Sequence, residues 1–279
     1  MPRFAGKTVI VTGSSNGIGR TAALLFAQKG ANVTITGRNA ERLQETRHQI
    51  LKAGVPDGQV NAVVADLTTS EGQDEIIKST VAKYGGIDIL VNNAGAAIMD
   101  PQGKFGVDQS IETYHKTLQT NLQTVVQMTQ KAKPYLIAAK GEIVNVSSIV
   151  AGPHASPEAI YYAIAKAALD QYTKSCSIDL IPHGVRVNSV SPGLVATGFI
   201  NAIGLPEPAS QKFYNHMAAH KECIPAGFAG RPKDIANVIV FLADRHLSAY
   251  IIGQSIVVDG GSSLVMGMQN HDMVKILGL

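Results

Sequence analysis

Short apolar runs rich in β-branched residues alternate along the chain with longer stretches whose apolar positions recur at helical spacing. Seven runs read as buried strands: Lys7–Thr12, Val33–Thr36, Val60–Ala65, Ile87–Val91, Ile143–Val146, Val185–Val190 and Ser255–Val258. Helical patterns fall between them. They run from Arg20 to a stop at Gly30, through Glu41–Leu43, from Glu71 to Tyr84, from Ile111 to Ala139 with a break expected near Pro134, and from Ile160 to Ile181. Strands and helices that take turns, with strands too apolar to keep a wet face, imply an α/β fold. The expected architecture is a Rossmann-type doubly wound sheet of about seven parallel strands with helices on both faces. No linker, repeat or low-complexity run divides the chain, so one domain is expected over residues 1–279. The irregular stretch from Gly198 to Gly230, rich in Pro, Ala, Phe and Met, reads as an insertion.

The first strand leads directly into Gly13-Ser14-Ser15-Asn16-Gly17-Ile18-Gly19 and then into a helix. Glycine lets backbone approach a ligand closely, and a helix N-terminus offers unpaired N–H groups to a pyrophosphate. A lone glycine triplet is usually a turn, whereas one set between strand and helix is a dinucleotide-binding signal. The spacing here is Gly-x-x-x-Gly-x-Gly.

Tyr162 and Lys166 lie four residues apart and share a helix face. An unperturbed phenol titrates near ~10, and a neighbouring cation favours phenolate. The pair therefore suits proton exchange with an oxygen. Tyr161, five residues from Lys166, lies well round the helix. Ser148 closes the apolar segment that begins at Glu142, with Ser147 beside it as the fallback. Taken alone, the Tyr/Lys pair reads more readily as decoration of an amphipathic helix.

Together with Asn92-Asn93-Ala94-Gly95, Asn121, the run Pro192-Gly193-Leu194-Val195-Ala196-Thr197 and Asp259-Gly260-Gly261, these motifs resemble the short-chain dehydrogenase/reductase family in kind and in order, over residues 7 to about 263. The resemblance implies that Tyr162 is a general acid/base and that Lys166 lowers its pKa and holds the nicotinamide ribose. It implies that Ser148 hydrogen-bonds the substrate oxygen, and that Asn121 kinks a helix and holds a water in a proton relay to Lys166. Gly13, Ser15, Asn16, Gly17, Ile18 and Gly19 would hold the pyrophosphate. Asp66 and Leu67 resemble an adenine-binding pair, while Asn93, Ala94 and Gly95 would line the cleft near the adenosine ribose. Pro192, Gly193, Val195 and Thr197 would clasp the nicotinamide. Plain readings stand beside these: a turn at Asn93, a helix start at Asp66, a helix-face polar residue at Asn121.

Cofactor choice turns on the end of the second strand, Thr36-Gly37-Arg38-Asn39. A carboxylate there would accept from a ribose 2′-OH. None is present, and Arg38 is of the type that pairs with a 2′-phosphate and stacks on adenine. NADP(H) is therefore expected over NAD(H). The glycine loop carries Asn16 where many NADP-preferring relatives place a second basic residue.

Composition adds mainly exclusions. Net charge is +3, from 24 Lys and Arg against 21 Asp and Glu, with no basic block, so no nucleic-acid partner is expected. Two cysteines, Cys176 and Cys223, give no disulfide framework and suggest a reducing compartment. The first strand begins by Lys7, leaving no room for a signal peptide, and no run of 18 apolar residues occurs. A cytoplasmic protein without a membrane partner is expected. His216, His220 and Cys223 have metal-like spacing but read as chance residues of an exposed segment, so no metal is expected.

The expected function is hydride transfer between NADP(H) and the ketone or secondary alcohol of a largely apolar small molecule. The 198–230 segment would be its lid, through Phe199, Ile200, Ile203, Leu205, Phe213, Tyr214, Met217 and Ile224, with Met266 and Met268 adding contacts; packing of these side chains on the core or on a neighbouring subunit is the equal alternative. A homo-oligomer, tetramer or dimer, is implied through the long helices and the strand-seven region. An NAD-linked alcohol dehydrogenase and a non-catalytic nucleotide-binding scaffold are the alternatives.

Overall fold

The seven apolar runs become seven strands: β1 (Thr8–Val11), β2 (Asn32–Gly37), β3 (Val60–Val64), β4 (Ile89–Asn92), β5 (Glu142–Val146), β6 (Arg186–Pro192) and β7 (Ser255–Val258). The structure is a computed structural model that describes residues 2–199 and 206–266. All neighbouring strands pair in parallel, in the order β3-β2-β1-β4-β5-β6-β7. Chain direction across the sheet reverses between β1 and β4, and at such a switch point ligands bind beyond the carboxyl ends of the strands.

The strands are rich in apolar residues because both faces are covered, with polar side chains at a few buried positions of β2, β5 and β6. Val9 and Val11 of β1 enter one core, while Ile10 between them enters the other. The first core is closed by α1 (Gly17–Gln28), α2 (Ala40–Lys52) and α8 (Pro232–Ala243), through Phe26, Leu43, Ile50 and Ile239. The second is closed by α3 (Ser70–Tyr84), α5 (Thr124–Ala139) and α6 (Ile160–Leu180), through Ile76, Met128, Leu136 and Leu180. Local chemistry sets the helix ends. The Asn39 side chain caps α2 by accepting from Arg42 N at 2.8 Å, and α3 stops at Gly85, whose φ of 84° is left-handed.

Two expectations need correction. The helix expected over Ile111–Ala139 runs straight through Pro134 and is interrupted earlier: α4 (Ile111–Leu118) passes into a π turn, Gln119–Gln123, before α5 begins. The cause is Asn121, whose carboxamide turns inward to bond Thr117 O and Ala96 instead of lying on the helix surface. The 198–230 stretch is not wholly irregular either, since Glu207–Ala219 forms α7. Its ends are pinned together where Val195 pairs with Gly230 and Ala196 N donates to Gly230 O at 2.7 Å.

At the amino ends of the strands, buried Glu142 meets Arg186 at 2.9 Å and Arg245 at 2.7 Å, tying β5 to β6 and to the short α9 (Arg245–Ser248). Among the described residues no helix is long and apolar enough to cross a membrane.

Candidate active site

Each sequence-predicted cluster emerges at the carboxyl edge of the sheet. The glycine loop follows β1. Gly13 and Gly17 have φ of 64° and 53°, a region costly for other residues. A Cβ on Gly13 would stand 2.8 Å from Ala94 Cα, so the loop lies directly on the turn after β4. Asn93 is the fastener. Its Nδ2 donates to Thr12 O at 2.8 Å and to Gly13 O at 3.2 Å, while Thr12 Oγ1 accepts from Asn93 N and Ala94 N, both at 3.0 Å. Asn93 therefore braces the cleft from beneath.

Asn16 caps α1, its Oδ1 accepting from Gly17 N at 2.7 Å, and its Nδ2 packs against Gly198. Thr197 lies over Gly17, so the Pro192–Thr197 segment closes against the glycine loop. No acidic side chain stands in the first turn of α1, and Ile18 and Gly19 belong to that turn. A pyrophosphate would meet the positive end of the helix unopposed. Arg20 holds the loop from behind by donating to Ser15 O at 2.7 Å.

Arg38 is exposed at the end of β2 and acts electrostatically on Asp66, which follows β3. Asp66 does not start a helix. Its Oδ1 accepts from Thr68 N at 2.9 Å and Thr68 Oγ1 at 2.8 Å, and Thr69 is the cap of α3. Those bonds and the Arg38 cation hold its carboxyl below the usual range. Leu67 is buried beside it. The adenine pair and Arg38 are thus neighbours, as a single adenosine phosphate would require.

The Tyr/Lys helix, α6, faces the exit of β5. Ser148 is hydrogen-bonded to the Tyr162 hydroxyl. Lys166 is buried, donates from Nζ to Val146 O at 2.8 Å, and lies 5.6 Å from the Tyr162 ring centroid. Across the cleft, a Cβ on Gly95 would stand 2.8 Å from Asn121 Oδ1 and 3.4 Å from Lys166 Nζ, so those two polar ends converge over Gly95. Asn121 Oδ1 accepts from Ala96 N at 3.0 Å, and its Nδ2 donates to Ala96 O and Thr117 O, both at 2.9 Å.

The electrostatics differ from expectation in one respect. Burial pushes the Tyr162 phenol well above its ordinary value, and only the bond from Ser148 works against this. Burial also brings Lys166 down to about 8, against the opposing charge of Asp170. The phenol is therefore held as an acid, because desolvation outweighs a cation whose nearest bond is to a carbonyl.

Several contributors escape sequence reasoning. Val146 O and Asp170 carry no motif of their own. Phe199 stands 5.9 Å from Tyr162, centroid to centroid, where a ring would cover the reacting end of a ligand. The residues expected to form a lid divide. Tyr214 is buried and fastens α7 by donating to Thr197 O at 3.0 Å, and Ile224 is buried against Gly260. Phe199 and Phe213 keep 37% and 39% exposure and are free to meet a ligand. Ile200, Ile203, Leu205 and Met268 lie outside the described residues. His216 and His220 stack at 4.3 Å, but α7 ends before His220, and no group of three or more His, Cys, Asp or Glu among the described residues is placed to hold a metal.

Comparison with known proteins agrees with this geometry. A family model described as enoyl-(acyl carrier protein) reductase matches residues 13–263. A crystal structure of a short-chain dehydrogenase/reductase of unknown function from Caenorhabditis elegans with cofactor is 70% identical, with TM-score 0.96, covering 97% of this chain and 100% of that one. A glucose dehydrogenase of the same organism in the apo form is 58% identical, with TM-score 0.82, over 94% and 100% of the two chains. A 3-oxoacyl-(acyl-carrier-protein) reductase of Thermotoga maritima is 36% identical over 93% of this chain and 98% of its own length.

Proposed function

The chain belongs to the short-chain dehydrogenase/reductase family, and from that premise we propose that it transfers a hydride between NADP(H) and the ketone or secondary alcohol of a largely apolar small molecule. The carrying observation is the convergence of Ser148, Tyr162, Lys166 and Asn121 at the ends of β4 and β5, beside a glycine loop whose backbone lies open to a phosphate. A scaffold without turnover has no need of all four.

The residues fit the dinucleotide. Gly13 to Gly19 and the N-terminus of α1 would take the pyrophosphate, Asp66, Leu67 and Arg38 the adenosine end, and Lys166 the nicotinamide ribose. The hydride is the contribution of the nicotinamide when bound. The chain does the rest. Ser148 and Tyr162 hold the substrate oxygen between two hydroxyls, and Tyr162 gives up its proton as charge grows there. Lys166, largely charged below about 8, stabilises the phenolate that remains. Asn121 keeps the π turn open beside Lys166, through which a proton can be resupplied. A phenol held as an acid is suited to donate its proton to a carbonyl oxygen when the reaction runs as a reduction.

Arg38, with no carboxylate at the end of β2, supports NADP(H) over NAD(H). A charge-assisted pair with a phosphate contributes ~1.5–3 kcal/mol, about ten-fold or more in affinity. Calorimetry should therefore give a lower Kd for NADPH than for NADH, and equal constants would remove the basis for this choice. Phe199, Phe213 and Met217 support an apolar ligand. The likeness to a glucose dehydrogenase favours a second reading, a sugar substrate such as glucose. We also read the protein as a homo-oligomer. Ile164 and Ile178 on the outer face of α6, and Val257 with Tyr250 near the edge strand β7, are exposed apolar side chains that a second copy would cover.

A further inference from the structure

We infer that Asp170 is a positioning residue for the Tyr162–Lys166 pair, a third rung of α6 that locks the helix to the exit of β5 and sets a carboxylate one turn beyond Lys166. The inference rests on the oxidoreductase reading given above.

Tyr162, Lys166 and Asp170 follow at i, i+4 and i+8 and so share one face of α6. Each meets one residue of the consecutive run Val146-Ser147-Ser148. Tyr162 meets Ser148, Lys166 bonds Val146 O, and Asp170 lies beside the Ser147 hydroxyl. Ser147 Oγ also lies 3.4 Å from Lys166 O, so the middle rung is held from both sides. Ser189 Oγ reaches Asp170 Oδ1 at 3.5 Å from β6. Ser147 and Ser189 are 3% and 0% exposed, so the half-buried Asp170 meets hydroxyls of the interior.

The wider setting is a buried polar row. Asn92, Asn145, Ser189 and Ser255 stand in register across β4 to β7. Asn92 Nδ2 donates to Asn145 Oδ1, and Asn145 Nδ2 donates to Thr173 Oγ1 on α6, both at 2.9 Å. These partners are uncharged; Asp170 brings an acid to the row. Its charged neighbours are Lys174 and Lys166 of its own helix, while β5 and β6 present the hydroxyls of Ser147 and Ser189. Tyr162 is the other titrating group of the face. Burial pushes Asp170 above the usual carboxylate range, a cost that an aspartate without a task would not carry. In return its charge opposes the burial that draws the Lys166 proton away.

Removing that charge while keeping the shape leaves Lys166 to burial alone. The lysine then loses its proton at lower pH, and the phenolate of Tyr162 becomes harder to form. The test is Asp170→Asn in the full chain, with two readouts. The first is the pH midpoint of Lys166 acetylation under competitive labelling, read by peptide mass spectrometry, which needs no turnover. It should fall by about one pH unit. The second is the pH profile of NADP-linked alcohol oxidation, whose rising limb should move to higher pH. A merely structural role would depress the rate alike at every pH and leave both midpoints in place, and that result overturns the inference. Ser147→Ala, which deletes the hydroxyl that supports the carboxylate, should shift the Lys166 midpoint in the same direction by less. Should Asp170→Asn not fold, an unmoved midpoint in Ser147→Ala is the contrary result. If the midpoint moves but the wild-type protein turns over no alcohol or ketone, the tie to Lys166 stands and the oxidoreductase reading falls.

Discussion

At the scale of single residues, the adjacent tyrosines show what spacing can and cannot decide. Helical angle alone favours Tyr162 over Tyr161 as the partner of Lys166, and the structure sets Tyr162 against Ser148. Tyr161 is used otherwise: its hydroxyl donates to Gln109 O at 3.0 Å and its ring meets Tyr114 at 5.3 Å, fastening α6 to the loop before α4. Tyr162→Phe is accordingly expected to lose ~10²–10⁴-fold in turnover with cofactor affinity retained, because the proton donor is gone and Lys166 remains. Tyr161→Phe should keep its turnover and lose about 1 kcal/mol of stability. Steady-state kinetics on the two variants decides this, and full activity in Tyr162→Phe would mean that the proton comes from elsewhere. The direction of the Tyr162 shift was not legible beforehand, since it depends on how deeply tertiary packing buries the phenol. Nor was Asp170, whose neighbours Ser147 and Ser189 come from the exit of β5 and from β6.

At the scale of elements, strands and most helices were legible because period and caps are local properties. The π turn was not. Pro134 is the local helix breaker, yet α5 tolerates it, while the actual interruption at Gln119–Gln123 is imposed by Ala96, a residue distant in sequence that satisfies the Asn121 carboxamide. The helix α7 was hidden for the opposite reason. Prolines at 206 and 208 read as breakers, although proline is tolerated in a first helical turn. Asn121→Ala should leave the Ala96 N–H and carbonyl without their partners. Each buried backbone group so orphaned costs ~1–3 kcal/mol, so the thermal midpoint should drop together with turnover. An unchanged midpoint by circular dichroism would show that the π turn is not held by this side chain.

At the scale of the whole molecule, the doubly wound sheet was readable because seven runs were apolar on both faces, and only a sheet covered on both sides accepts such strands. The expectation of a partner copy on its remaining apolar surface comes only through resemblance. The exposed Ile164, Ile178, Tyr250 and Val257 lead to the expectation that light scattering at micromolar concentration will give a multiple of 29.4 kDa. A 29.4 kDa species alone would contradict the oligomer. The central claim, an NADP(H)-linked carbonyl reductase or alcohol dehydrogenase with an apolar-lidded site, is tested most directly by the near-ultraviolet absorbance of the reduced nicotinamide. NADPH and NADH are compared in parallel across a panel running from apolar ketones to sugars and small charged oxo acids. The account predicts loss of absorbance with NADPH, fastest with apolar ketones and slower with NADH. No loss with any member of the panel, or a best substrate that is small and charged with NADH at least as effective, would contradict it.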